Sequence, residues 1–351
     1  LLSATMVRLS LQFGNTPAST VGYAIYGMVL CVFLSEVEIG YKFGLLALSL
    51  LEKLNDRGIK CLLLNLFGGF IQHRQQSLLV TLSTMKDSYT NGMETGSFLY
   101  AGYSIQSYAY TALFAGVNLN TLSAELAPYS VVLTQAKQNA ACILLDTVRQ
   151  VVENLRETGR QPHRLMGIVY DETIMLPKHQ QNNDFRAIAY AYTYKLMLAA
   201  LWGNYHAALE YITGIKPYFM AAAGAVHIPV FHFYAALTYL ALVPTQPETE
   251  QAQTLLEAQT HQTILHQWAE NAPMNHLHKW YLVEAERYRV LGEKAAASEY
   301  YDEAIALAKT HQFINEEALA NELAAKFYLD WGKQRIAGEY MIGAYYSYIS
   351  W

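Results

Sequence analysis

Two glycines, Gly292 and Gly332, stand 40 residues apart and anchor an internal repeat. The first block reads EAERYRVLGEKAAASEYYDEAIALA and the second LAAKFYLDWGKQRIAGEYMIGAYYS. In this frame Ala285 matches Ala325, Tyr288 matches Tyr328 and Ala297 matches Ala337. Further on, Glu299 matches Glu339, Tyr300 matches Tyr340 and Ala304 matches Ala344. Ala285 and Tyr288 are three apart, on one face of a helix; Ala297, Tyr301 and Ala304 follow i, i+4, i+7 on another. The glycine between them sits where a helix must stop and the chain turn back, a place that needs left-handed backbone. The repeat unit is therefore an antiparallel helix pair whose alanines let the two backbones approach closely. Self-similarity of this period specifies an array of stacked helix pairs.

The unit resembles the tetratricopeptide pattern: small residue and aromatic on the first helix, Gly at the turn, alanines seven apart on the second. Weaker copies lie upstream. LWGNYHAALEYI places Gly203, Tyr205, Ala208 and Tyr211 in the same frame. SEVEIGYKFGLLAL puts Gly40 and Ala47 at the two alanine positions, with Ser35 at the turn. Gly116 and the HRQQ after Ile71 are further turns. Room remains for one more pair between Gly203 and Gly292, where Thr245 and Glu248 are spaced as a capping box for a helix running through Gln251 to Trp268. The expected fold is all-α, an α-α superhelix of about seven antiparallel hairpins. Glu157 to Asp184, rich in Gly, Pro, Asn and charge, reads as an interruption. The expected organisation is thus an N-terminal array over 1–157, a polar linker over 158–184 and a C-terminal tetratricopeptide-like array over 185–351.

A chain of 351 residues with 53% hydrophobic side chains can bury a large interior. Its 24 basic against 29 acidic residues give no basic surface for nucleic acid, which is not expected as a partner. Cys31, Cys61 and Cys142 make no CxxC pair and suit buried thiols in a reducing cytoplasm. The opening LLSATMVRLS lacks an initiator Met and reads as a piece of a longer protein. The uncharged run Pro217 to Pro247 is long enough to span a bilayer, but His227, Pro229 and His232 interrupt it. Two packed helices broken near Pro229 are expected there, not a membrane span.

Catalytic motifs are missing. The chain has no GxxxxGK[ST], no GxGxxG, no HRD or DFG set and no HExxH. Ser83 to Lys86 reads STMK, an S-x-x-K match without its companion KTG. The stretch NHLHKWYLVEAE, Asn275 to Glu286, gathers two histidines, a lysine and two glutamates. On a helix, however, His276 and His278 diverge by about 200°, while helical metal pairs use i, i+3 or i, i+4. His227 with His232 and His261 with His266 are five apart, an equally poor spacing. His278 is expected at a helix–helix seam, and Asp171 and Glu172 as solvated loop charge. No catalytic, cofactor-binding or metal-binding residue is therefore assigned.

APMNHLHKWYLVEAERYRVLG, YYDEAIALA, EEALANELAAKFYL and YMIGAYYSYISW resemble, in order, the helical-repeat region of large bacterial hybrid signalling kinases. YAIYGMVLC, GYKFGLLAL, METGSFLYAGY, DETIMLPKHQQNN and HFYAALTYLAL extend the likeness upstream, from about Ala24 to Trp351. The family order is a serine/threonine kinase domain, an AAA-type ATPase, this region, a GAF sensor and a histidine kinase. The resemblance implies a non-enzymatic, cytoplasmic signal-transduction segment that makes protein–protein or interdomain contacts. ATP and magnesium would be bound only by neighbouring domains. The alternative is a domain that senses a small-molecule effector in a Tyr-rich groove.

Overall fold

The computed structural model describes residues 2–157, 159 and 161–351. Among these the chain forms seventeen α-helices, short 3-10 turns and no strand beyond a single bridge between Met166 and Asp171. The all-α hairpin fold is thus as the repeat requires. By contacts the described residues divide into two compact units. One comprises 2–112, 124–149 and 223–226; the other comprises 113–123, 150–222 and 227–351. Thr158 and Arg160, at the start of the expected linker, lie outside the described residues.

In the first unit, α1 (Leu2–Phe13), α2 (Pro17–Phe33) and α3 (Val37–Leu54) lead into α4 (Arg57–Phe70) and α5 (Leu78–Thr95). Ser35, at the α2–α3 turn, has φ +58°, and a 3-10 turn over Gln72–Arg74 joins α4 to α5. Gly40 sets the α2–α3 spacing: a Cβ there would lie 2.4 Å from Cys31 Sγ and 2.5 Å from the Gly27 carbonyl. Ala47, two turns on, is fully buried. Then come α6 (Phe98–Phe114), α7 (Leu119–Gln135) and α8 (Asn139–Arg156), of which 113–123 and 150–156 are assigned to the second unit, with Gly116 left-handed between α6 and α7.

The second unit continues with α9 (Glu172–Gln181), α10 (Phe185–Leu201), α11 (Tyr205–Ile215), α12 (His227–Leu242) and α13 (Glu248–Asn271). It ends with α14 (Pro273–Leu291), α15 (Lys294–Thr310), α16 (Ile314–Asp330) and α17 (Gln334–Ser350). The aligned blocks are the hairpins α14–α15 and α16–α17. Gly292 and Gly332 have φ of +81° and +79°. Each turn is closed by the same two bonds: Glu293 N–H donates to the Tyr288 carbonyl (3.0 Å) and Gly292 N–H to that of Arg289 (3.1 Å), as Lys333 N–H does to Tyr328 (2.8 Å) and Gly332 N–H to Leu329 (2.9 Å). These are the C-terminal bonds that left-handed glycine permits. Gly203 repeats the arrangement, with Asn204 N–H on the Ala199 carbonyl at 2.8 Å.

Ala285, Ala297 and Ala304 are buried, as are Ala325, Ala337 and Ala344. Beside them Tyr288 stacks on Tyr300 (5.4 Å, 10°), and Tyr328 stacks on Tyr340 in the same way (5.2 Å, 10°). Residues equated by sequence therefore make one contact twice.

Two local expectations are corrected. Thr245 does not cap α13: its hydroxyl donates to the Leu242 carbonyl, and Pro247 takes the N-cap position without a side-chain bond. Pro229 does not break a helix either. It lies in the first turn of α12, where no intrahelical N–H is lost, and the break falls earlier, after the 3-10 turn Lys216–Ala222. The span His227–Thr245 is long and apolar enough to cross a membrane by length and composition, yet 72% of it is buried within the protein. That burial is typical of a core helix.

Replacing Ala304 or Ala344 with Leu inserts a branched side chain into a filled crossing and should cost about 1–3 kcal/mol in chemical denaturation. A neutral outcome at both sites would contradict the close approach.

Candidate functional site

The densest polar constellation lies on α14, within Asn275 to Glu286, and it is almost wholly buried. Asn275, His276, His278 and Lys279 are inaccessible to solvent, and Glu284 and Glu286 nearly so. The divergence of His276 and His278 is real, but α14 is packed against α12, α13, α15 and α16, so both directions lead inward. His276 meets the Trp268 ring edge-on at 5.5 Å. His278 reaches the α16 seam, where its Nε2 donates to Glu316 Oε2.

Lys279 shares that carboxylate. Its Nζ lies 2.8 Å from Glu316 Oε2, donates to the Asn275 carbonyl at 2.7 Å and sits 4.3 Å above the Phe313 ring. Burial pushes the Lys279 ammonium below its ordinary range, and Glu316 opposes the shift. Burial likewise pushes His278 down to about 4, with Lys279 adding to the effect, so the imidazole is neutral at pH 7. Burial also disfavours the Glu316 carboxylate, but Lys279 and His278 outweigh it and hold its pKa low. The cluster is thus one buried ion pair with a neutral histidine donor. A general acid or base would need to titrate near neutrality, and His278 does not.

The remaining acids of the stretch are also occupied. Glu284 accepts Gln262 and both Nε and Nη2 of Arg287; Glu286 accepts the Tyr301 hydroxyl and both nitrogens of Arg289. Among the described residues no group of three His, Cys, Asp or Glu side chains could hold a metal ion.

Two further clusters could not be read from spacing within one segment. His232 of α12 and His261 of α13 pair through their Nδ1 atoms at 2.8 Å. One ring donates and the other accepts, and burial pushes them to about 3 and about 4. Glu172 was expected in solvent; instead it is buried, accepting Lys195 Nζ at 2.9 Å, Arg164 Nε at 3.1 Å and Leu165 N–H at 2.8 Å. Asp171 alone keeps partial access to solvent, and it caps α9 through Thr173. At Ser83 the hydroxyl donates to the Val80 carbonyl of its own helix, and Lys86 is ion-paired with Glu125. The serine and lysine are not arranged as nucleophile and base.

Among the described residues several grooves are large enough for a small ligand. One of about 500 Å³ runs between α13 and α14, with Gln262, His266, Trp280, Glu284 and Arg287 in its walls. Another, of about 710 Å³, lies among α3, α4 and α5, where Arg57 and Lys60 face Asp87 and Glu94.

The hybrid signal transduction histidine kinase G of Dictyostelium discoideum is 28% identical over 122 residues. That similarity is to a signalling protein. It covers 34% of this chain, and the chain spans 4% of the length of that relative. No family model and no solved structure matches.

Removing one partner of the buried pair, as in Lys279→Met, strands the Glu316 charge and should cost about 3–5 kcal/mol. Adding Glu316→Gln in the same chain should restore most of that in equilibrium unfolding. The histidines set the acid response. His73, His232, His261 and His278 titrate at about 3 to 4 in the fold against an ordinary 6.5. Their folded values are depressed, so the unfolded chain binds more protons below pH 6.5 and stability falls from there towards pH 4. A Tm that stays flat between pH 7 and pH 4.5 would refute this.

Proposed function

We propose that this chain is a non-catalytic, tetratricopeptide-like scaffold of a multidomain signal-transduction kinase. It makes protein or interdomain contacts between an ATPase module and a sensor histidine kinase output, in the cytoplasm. The observation that carries this reading is the repeated hairpin with its duplicated tyrosine stack, since stacked hairpins present extended surfaces to partners. Similarity to a hybrid signal transduction histidine kinase supports the signalling context. The internally neutralised acids of α14 support a packing role for the stretch richest in chemistry. ATP and magnesium then belong to neighbouring domains.

A second reading, effector sensing, is favoured by the groove beside Trp280, which offers an indole face with Gln262, His266 and Arg287 around it. A thermal-shift panel of metabolites separates the two: a pure scaffold gives no shift, whereas a sensor gives one that Trp280→Ala abolishes.

The scaffold itself is tested with the purified chain and the recombinant ATPase and sensor-kinase modules of its parent polypeptide. Calorimetry should detect binding to at least one module, and the chain alone should not incorporate phosphate from labelled ATP. Phosphorylation by the isolated chain, or no binding to either module, would sink the proposal.

A further inference from the structure

The repeat also gives the outer face of α17 a counterpart on α15. In the shared frame α17 is the counterpart of α15, so Tyr301 corresponds to Met341 and Ile305 to Tyr345. In α15 this stripe is covered by α16: Tyr301 is 0% exposed, its ring 5.3 Å from that of Phe327, and Ser298 bonds the Tyr328 hydroxyl. In α17 the same stripe is open, with Met341 42% and Tyr345 61% exposed. The neighbouring positions sharpen the contrast. Asp302, Ala306 and Lys309 stay exposed beside α16, Asp302 accepting the Tyr340 hydroxyl at its edge, but their counterparts in α17 are Ile342, Tyr346 and Ile349. These three are 59%, 65% and 63% exposed. A helix that closes a solenoid shows water a polar face, and a contiguous apolar patch marks an interaction surface.

The geometry points to the outer face of α17 as a stacking surface for one occupant, the first helix of another hairpin of this repeat type. That occupant continues the α15–α16 interface by one step, placing an aromatic where Phe327 meets Tyr301. It covers a broader strip than α16 does, because Ile342, Tyr346 and Ile349 replace residues that α16 leaves to solvent. Its docking flank is therefore long-chained and apolar, without the charge that Asp302 and Lys309 would have balanced. Stacking on this face follows from register and exposure and does not depend on the signalling role.

Register supplies the test. Trp351 occupies the position of His311, so a second copy of residues 312–351 can be appended in phase to the full chain. The apolar outer positions of the copied last helix are replaced with Glu and Lys, so that only the original face is read. Stacking should raise Tm by about 5 °C or more and sharply lower the fluorescence of an apolar-surface dye. The same extension on a Tyr345→Glu chain should lose both gains, while the exposed position lets that chain fold. An appended segment that stays protease-sensitive, with Tm and dye binding unchanged, would overturn the proposal. So would gains that persist in Tyr345→Glu. Sedimentation of the unextended chain as a dimer that Tyr345→Glu dissociates would also overturn it, by giving the face to a second copy.

Discussion

Close approach of paired helices at alanine is the constraint on which the C-terminal hairpins depend. With Ala285, Ala297 and Ala304 at the α14–α15 crossing, no side chain holds the backbones apart, and attraction is gathered over many weak contacts. Such a crossing is tight but contributes little apolar area by itself. The stacked tyrosines supply the area. In the second stack Tyr328 pairs with Ser298 and Tyr340 with Asp302, so it is fixed at its polar ends as well as its face.

The repeat was legible because it is a chemical pattern tied to backbone geometry. A left-handed glycine, an alanine at a crossing and a tyrosine opposite another tyrosine each leave a residue type that little else can replace. The same reasoning located the turns at Ser35, Gly116 and Gly203. It failed where local and tertiary preferences compete. Thr245 and Glu248 have capping-box spacing, but the Thr245 hydroxyl is taken by the preceding turn. Pro229 was read as a breaker because its position relative to the helix start, which decides the matter, is not written in composition.

The polar clusters were hidden for a different reason. A histidine's offset along its own helix says nothing about the neighbouring helix, so the His232–His261 contact and the Lys279–Glu316 pair were invisible. Charge in a sparse polar stretch is ordinarily solvated, and Asp171 obeys that rule while the next residue does not. Glu172 is drawn inward because Lys195, on a buried helix, needs a counter-charge; its ammonium also lies 4.4 Å over the Tyr211 ring. A lone lysine inside FRAIAYAYTYKLMLAAL is the one signal from which this pairing could have been anticipated.

The buried pair on α14 has a further consequence for an array built from similar parts. Interfaces of alanine and tyrosine alone would let one hairpin pack on another with little discrimination. Moving forward by 40 residues turns His278 and Lys279 into Ala318 and Leu319, so the ionic cluster is not a repeated element. It marks one interface, α14 against α16. Correct stacking leaves the pair only weakly favourable, because desolvation consumes most of the attraction. Stacking in another register would bury an unpaired ammonium, which costs far more. On α14 the acids are matched and His278 stays neutral at pH 7, as do His232 and His261 of the separate α12–α13 pair.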